Sequence, residues 1–163
     1  MTDINHTASL THGYEQIRGD QIKDIIAEYV WIGGDGTLRS KCRTLTNLPE
    51  NFTVADLPDW NFDGSSCYLA TTENSEVIMK PCAVYKDPFR GPAANGRHHI
   101  IVLTDTYIWE DTTMKKLIPS RNNFRALTKP IFDAAADLEP WYGIEQEYTM
   151  IGTQTKFTVW PLG

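Results

Sequence analysis

Between Ile26 and Thr44 the chain alternates, turns and alternates again, which commits this stretch to a β-hairpin. Ile26, Val30 and Ile32 share one face of a period-two strand and Tyr29 and Trp31 share the other. Apolar side chains on both faces predict that both are covered. Gly33-Gly34-Asp35-Gly36 supplies the positive-φ positions of a turn. Leu38 to Thr44 then returns with Arg39, Lys41 and Arg43 on one face, suited either to a phosphate or to solvent. The glycine cluster lacks the Lys and Ser or Thr of a phosphate loop and opens no helix, so it reads as a turn.

Residues 1–24 carry no clean period and read as a polar N-terminal arm. Pro49 and Pro58 punctuate an irregular stretch that leads into Trp60–Ser66, and Val77–Lys86 and His98–Tyr107 read as strands. Pro81 confines the first of these to an edge or a bulge, because proline cannot donate to a ladder. Residues 25–110 thus have the β-rich makings of a small domain, and residues 111–163 begin another. In the second, Asn122 or Asn123 can cap a helix whose apolar residues Phe124, Leu127, Ile131, Ala135 and Leu138 recur at helical spacing. Pro130 inside it predicts a kink or a break. Tyr142–Met150 alternates again and reads as a strand, giving an α+β chain.

Composition narrows the partners. The 163 residues carry a formal net charge of -6, which argues against nucleic acid or an anionic membrane as the main partner, since clustered Lys and Arg hold both. Cys42, Cys67 and Cys82 are odd in number and far apart, fitting neither a disulfide framework nor a metal knuckle. They read as reduced thiols of a cytoplasmic protein. No apolar stretch approaches the roughly 18 residues of a membrane span, and the start of the chain has no apolar signal core. The sequons at Asn5 and Asn51 are accordingly expected to stay unmodified.

Two constellations could carry chemistry. Glu145 and Glu147, at i and i+2 on the expected strand, point the same way about 7 Å apart, a spacing open to divalent cations or to an ordinary solvated face. Asp63 lies in an aromatic-flanked Asn-Phe-Asp-Gly-Ser-Ser loop, where it can act as a general base or close an Asx-turn. His98 and His99 are adjacent on an expected strand, point to opposite faces and cannot chelate one ion together.

The order of blocks shifts the balance between these alternatives without closing them. Tyr29-Val30-Trp31-Ile32, Leu38 to Thr44, Leu57-Pro58-Asp59 with Trp60-Asn61-Phe62-Asp63-Gly64-Ser65-Ser66, Asp87-Pro88-Phe89-Arg90 and Trp141 to Thr149 together resemble glutamine synthetase of the eukaryotic type. That resemblance implies a β-grasp-like N-terminal domain over residues 25–110, then the beginning of the catalytic domain, incomplete in residues 111–163. It implies ATP-dependent amidation of glutamate with ammonia through γ-glutamyl phosphate, with self-association or glutamine synthetase subunits as partners. The residues matching Glu145 and Glu147 would bind Mg²⁺ or Mn²⁺, Glu145 with ATP as well. Those matching Asp63 and Ser66 would reach a neighbour's site and help bind and deprotonate ammonium. A non-catalytic glutamine synthetase-like subunit or interaction module is the alternative. Thr71 to Val77 and Pro130 depart from the family pattern.

The resemblance implies a long continuation with the other metal ligands, the glutamate-binding arginines and most of the nucleotide pocket. The 163-residue chain is therefore expected to make no glutamine by itself. The check is glutamine formation from glutamate, ammonium and ATP with Mg²⁺ or Mn²⁺; activity clearly above that of a Glu145→Ala, Glu147→Ala double variant contradicts the expectation.

Overall fold

The computed structural model describes residues 24–93 and 95–148. The N-terminal arm lies outside them, as do Thr149 and Met150 of the last expected strand. The described residues are α+β, a mixed sheet with few helices. Those up to Lys129 belong to one compact unit and those from Pro130 to a second.

In the first unit, β1 (Ile25–Ile32) and β2 (Leu38–Leu45) form the expected hairpin, antiparallel from Ile25 opposite Leu45 to Ile32 opposite Leu38. Gly36 takes φ +82° at the turn. Gly34 is needed for closeness instead, since a Cβ there would stand 2.1 Å from the Tyr68 carbonyl oxygen. The remaining strands are β3 (Trp60–Asp63), β4 (Glu76–Lys86), β5 (Ile100–Trp109) and β6 (Leu117–Pro119). The order is β2-β1-β5-β4-β3, with β1 and β5 parallel and the other pairs antiparallel. The far end of β5 pairs with β6, so segment 117–119 belongs to the same sheet. Pro81 sits at a bulge, where the register shifts between Pro81 and Ala83. Proline is tolerated in this internal strand because the ladder is already interrupted there.

One face of the sheet is closed. Ile25, Ala27, Tyr29 and Trp31 of β1, Val77 and Met79 of β4, and Ile100 and Val102 of β5 are buried. Each large side chain fully buried there contributes about 1.5–3 kcal/mol. The expectation of two covered faces is corrected: Ile26 and Val30 are only half-buried and Ile32 is 48% exposed. The unit presents a single closed core, so alternation ranks the two faces of β1 instead of filling both.

On the opposite face an ion cluster ties three segments, β1, β2 and the stretch between β4 and β5. Arg90 donates to Glu28 at 2.7 Å, to Asp87 and to the Cys42 sulfur at 3.5 Å, while Ser40 donates to Glu28 at 2.6 Å. The Asp87 side chain is 0% exposed. Burial opposes its charge, yet the Arg90 guanidinium and the Phe89 and Arg90 amides outweigh that cost and hold its carboxyl below the usual range. The Ser40 hydroxyl and then Arg90 do the same for Glu28.

After β6, helix α1 (Phe124–Ala134) begins at Asn123, whose Oδ1 accepts from the Ala126 amide at 3.1 Å. The helix runs through Pro130 without a break, and a short 3-10 turn follows at Ala136–Leu138. Tyr142–Tyr148, the described part of the last expected strand, is irregular and exposed throughout. That expectation is corrected too: alternation supplies faces but no ladder partner, and no described strand pairs with this segment.

Arg90→Ala removes the cation from a buried carboxylate and is expected to cost about 3 kcal/mol in urea unfolding at pH 7. Because the folded-state pKa values of Glu28 and Asp87 are depressed, their contribution is present above their ordinary values of 4.5 and 3.8 and lost as pH falls through the folded values. The parent should therefore lose stability as the pH drops below about 4, and the variant much less. A cost under about 1 kcal/mol, or an unchanged acid limb, contradicts the role of this cluster.

Candidate functional site

The alternation of β3 separates a packing face from a chemical face. Trp60 and Phe62 point into the core side, where Trp31 stacks on Phe62 at 4.2 Å and Tyr29 meets Trp60 edge-on at 5.5 Å. Asn61 and Asp63 point the other way and are exposed. Across the ladder Asp63 opposes Glu76, a pairing of like charges that is unfavourable unless each is separately neutralised. Glu76 accepts from Asn61 Nδ2 at 2.6 Å and Trp109 Nε1 at 2.7 Å, which hold its carboxyl below the usual range.

Asp63 itself closes an Asx-turn. Its Oδ1 accepts from the Ser65 hydroxyl at 2.6 Å and the Ser65 amide at 2.9 Å, and a 3-10 turn follows at Ser65–Cys67. The Ser65 hydroxyl, then its amide, lower the Asp63 pKa, with a smaller contribution from Ser75. Ser66 is exposed and donates to the Asp63 backbone carbonyl at 3.1 Å, so the hydroxyl on the carboxylate is that of Ser65. Gly64 has φ -77° and needs no conformational freedom. It is required because a Cβ would stand 2.2 Å from the Val77 side chain. Its amide donates to Ser75 at 2.7 Å, and its carbonyl accepts from Leu69 at 2.9 Å.

The loop is held from two further sides. The Gly34 amide donates to the Cys67 carbonyl at 2.7 Å, docking the β1–β2 turn against it. From β2, Lys41 Nζ sits 3.7 Å from the Trp60 ring centroid and donates to the Asn61 carbonyl at 3.0 Å, with Arg43 5.0 Å from the same ring. Burial, then Arg43, lowers the Lys41 pKa. The basic face of β2 is thus half-buried over an aromatic ring, an arrangement the sequence reading missed. The signal was available: Lys41 and Arg43 alternate in phase with Tyr29 and Trp31, and Trp60 and Phe62 alternate likewise.

Glu145 and Glu147 lie in the second unit, on the irregular segment, and are exposed. Among the described residues no group of three or more His, Cys, Asp or Glu could hold a metal ion. These two carboxylates suit Mg²⁺ or Mn²⁺ in kind, as hard oxygen donors, but not in number. Among the described residues no helix is long and apolar enough to cross a membrane.

No family model matches the chain. Individual proteins do. Glutamine synthetase of Fusarium solani subsp. phaseoli is 45% identical over 145 residues, covering 88% of this chain and 37% of that protein. Glutamine synthetase 1, mitochondrial, of Drosophila melanogaster is 43% identical over 136 residues, covering 83% and 31%. The glutamine synthetase cytosolic isozyme of Chlamydomonas reinhardtii is 41% identical over 160 residues, covering 95% and 39%. The chain thus spans between 31% and 39% of the length of these relatives. Over most of its own length, it is a sequence of the eukaryotic glutamine synthetase type.

Proposed function

We propose that this chain serves an ATP-dependent ligase that amidates glutamate with ammonia to glutamine through γ-glutamyl phosphate. The observation that carries the reading is the 41–45% identity to glutamine synthetases over 83–95% of the chain. Asp63 is the residue we assign to the ammonium site of a neighbouring subunit, with Ser66 beside it on the same exposed turn. Exposure at the end of an edge strand supports a role outside its own fold. Its lowered pKa supports a permanent negative charge at neutral pH, which attracts a cation. The same shift makes it a weak proton acceptor, so binding ammonium is the larger share of its task.

Glu145 and Glu147 are proposed as oxygen ligands of Mg²⁺ or Mn²⁺ with ATP, completed by donors beyond the described residues. We further propose a β-grasp-like first unit, a reading supported by the central parallel pair β1/β5 flanked by antiparallel strands. Self-association or assembly with glutamine synthetase subunits follows from the neighbour-facing role of Asp63. For location we propose the cytoplasm, supported by the name of the Chlamydomonas relative and opposed by that of the Drosophila one.

Asp63→Asn tests this reading. An amide oxygen accepts the same two Ser65 hydrogen bonds, so unfolding free energy should stay within about 0.5 kcal/mol of the parent. The charge is lost, so kcat/KM for ammonium should fall sharply when the variant chain is joined to, or assembled with, full-length glutamine synthetase subunits. The readout is glutamine synthesis over an ammonium titration. A kcat/KM for ammonium within about twofold of the parent, less than about 0.5 kcal/mol on the barrier, leaves Asp63 as a turn residue only and sinks the assignment.

A further inference from the structure

We propose that Lys41 is a positioning residue for the Asp63 turn, acting as a cationic latch between the two edge strands of the sheet. The inference rests on the reading of Asp63 given above. β2 and β3 stand at opposite ends of the strand order, with three strands between them. Nevertheless Lys41 Nζ donates to the Asn61 carbonyl at 3.0 Å, on the backbone of β3 itself. The same ammonium lies 3.7 Å from the Trp60 centroid, within the range where a cation is attracted to a ring face.

Both contacts fall within three residues of Asp63. β3 is only four residues long and pairs on one side, with β4, so its own ladder holds it weakly. Lys41 supplies a hold on its other flank. The neighbouring basic residues divide the work differently: Arg43 shares the Trp60 ring at 5.0 Å, while Arg39 turns back to pair with Asp35 at 3.6 Å. A charge buried against an arginine is unfavourable by itself, and burial and Arg43 do depress the Lys41 pKa. The Trp60 face and the Asn61 carbonyl compensate, which gives a lysine at this point in β2 a reason that a solvated face would not.

The test compares Lys41→Met, which keeps the stem and removes charge and donor, with Lys41→Arg, which restores both, and with Arg39→Met as the control on the same strand face. Hydrogen exchange on the 163-residue chain reads the hold directly. Lys41→Met should speed exchange in the Trp60–Cys67 segment by about fivefold or more while the amides of β1 and β5 stay protected. Lys41→Arg should return the segment toward the parent, and Arg39→Met should leave it unchanged. Exchange within twofold of the parent, or equal acceleration throughout the sheet, overturns the latch. In the ligase assembly, Lys41→Met should raise the ammonium KM more than it lowers kcat, with partial recovery in Lys41→Arg. An unchanged ammonium KM despite a loosened segment overturns the positioning role. Failure of the ligase reading shows separately, as a parent without activity or an inert Asp63→Asn, and leaves the exchange result to decide the latch.

Discussion

Two aromatic contacts between β1 and the far edge strand β3, Trp31 on Phe62 and Tyr29 on Trp60, set the shape on which the other features rest. β5 and β4 separate these strands in the sheet, so the rings can meet only if the sheet coils until its edges approach. Rings of this size bury about 150–250 Å² each, enough to make that coil the favoured way to close a core on one face. The indole Nε1 of Trp31 is buried with no hydrogen-bond partner among the described residues, which costs about 1–3 kcal/mol. Stacking and burial must exceed that cost for the arrangement to persist.

The coil has consequences on both sides of β3. Inward, it brings Trp60 under Lys41 and Arg43, so a basic strand face that would otherwise be solvated becomes part of the packing. Outward, strict alternation leaves Asn61 and Asp63 exposed, with Asp63 fixed by Ser65 in a turn that aims a charged group away from its own core. Turn geometry and chemical function are compatible here, because the bonds that close the turn are those that keep the carboxylate ionised. On the other face of the sheet, the cluster of Glu28, Asp87 and Arg90 joins β1 to the segment between β4 and β5. The Asp87-Pro88-Phe89-Arg90 block thus has a structural reason within this unit, independent of any substrate.

Local alternation made the β1–β2 hairpin legible from sequence, with its turn and both of its strands, because all the information lies within twenty residues. An edge or bulge at Pro81 and a cap at Asn122 or Asn123 were legible for the same reason, being backbone accounting at single positions, and the structure takes the bulge and Asn123. What local pattern could not supply was partnership. Tyr142–Tyr148 alternates as well as β1 does, yet it is irregular, since a strand exists only where a neighbour offers its ladder. Likewise Ser65 and Ser66 are equivalent in sequence, and only the 3-10 turn decides which hydroxyl reaches the Asp63 carboxylate. The role of Lys41 was hidden because β2 and β3 become neighbours through the coil and not through strand order.

The dependence of this architecture on the ring contacts is open to a direct test by a double-mutant cycle on Trp31→Leu and Phe62→Leu, followed by urea unfolding of the parent, both single variants and the double variant. Leucine retains much of the apolar burial and removes the stacked geometry, so the cycle isolates the contact itself. A coupling of about 1 kcal/mol between the two positions is the predicted result. Additive losses, with coupling below about 0.3 kcal/mol, would contradict the claim that this stack draws the edges of the sheet together.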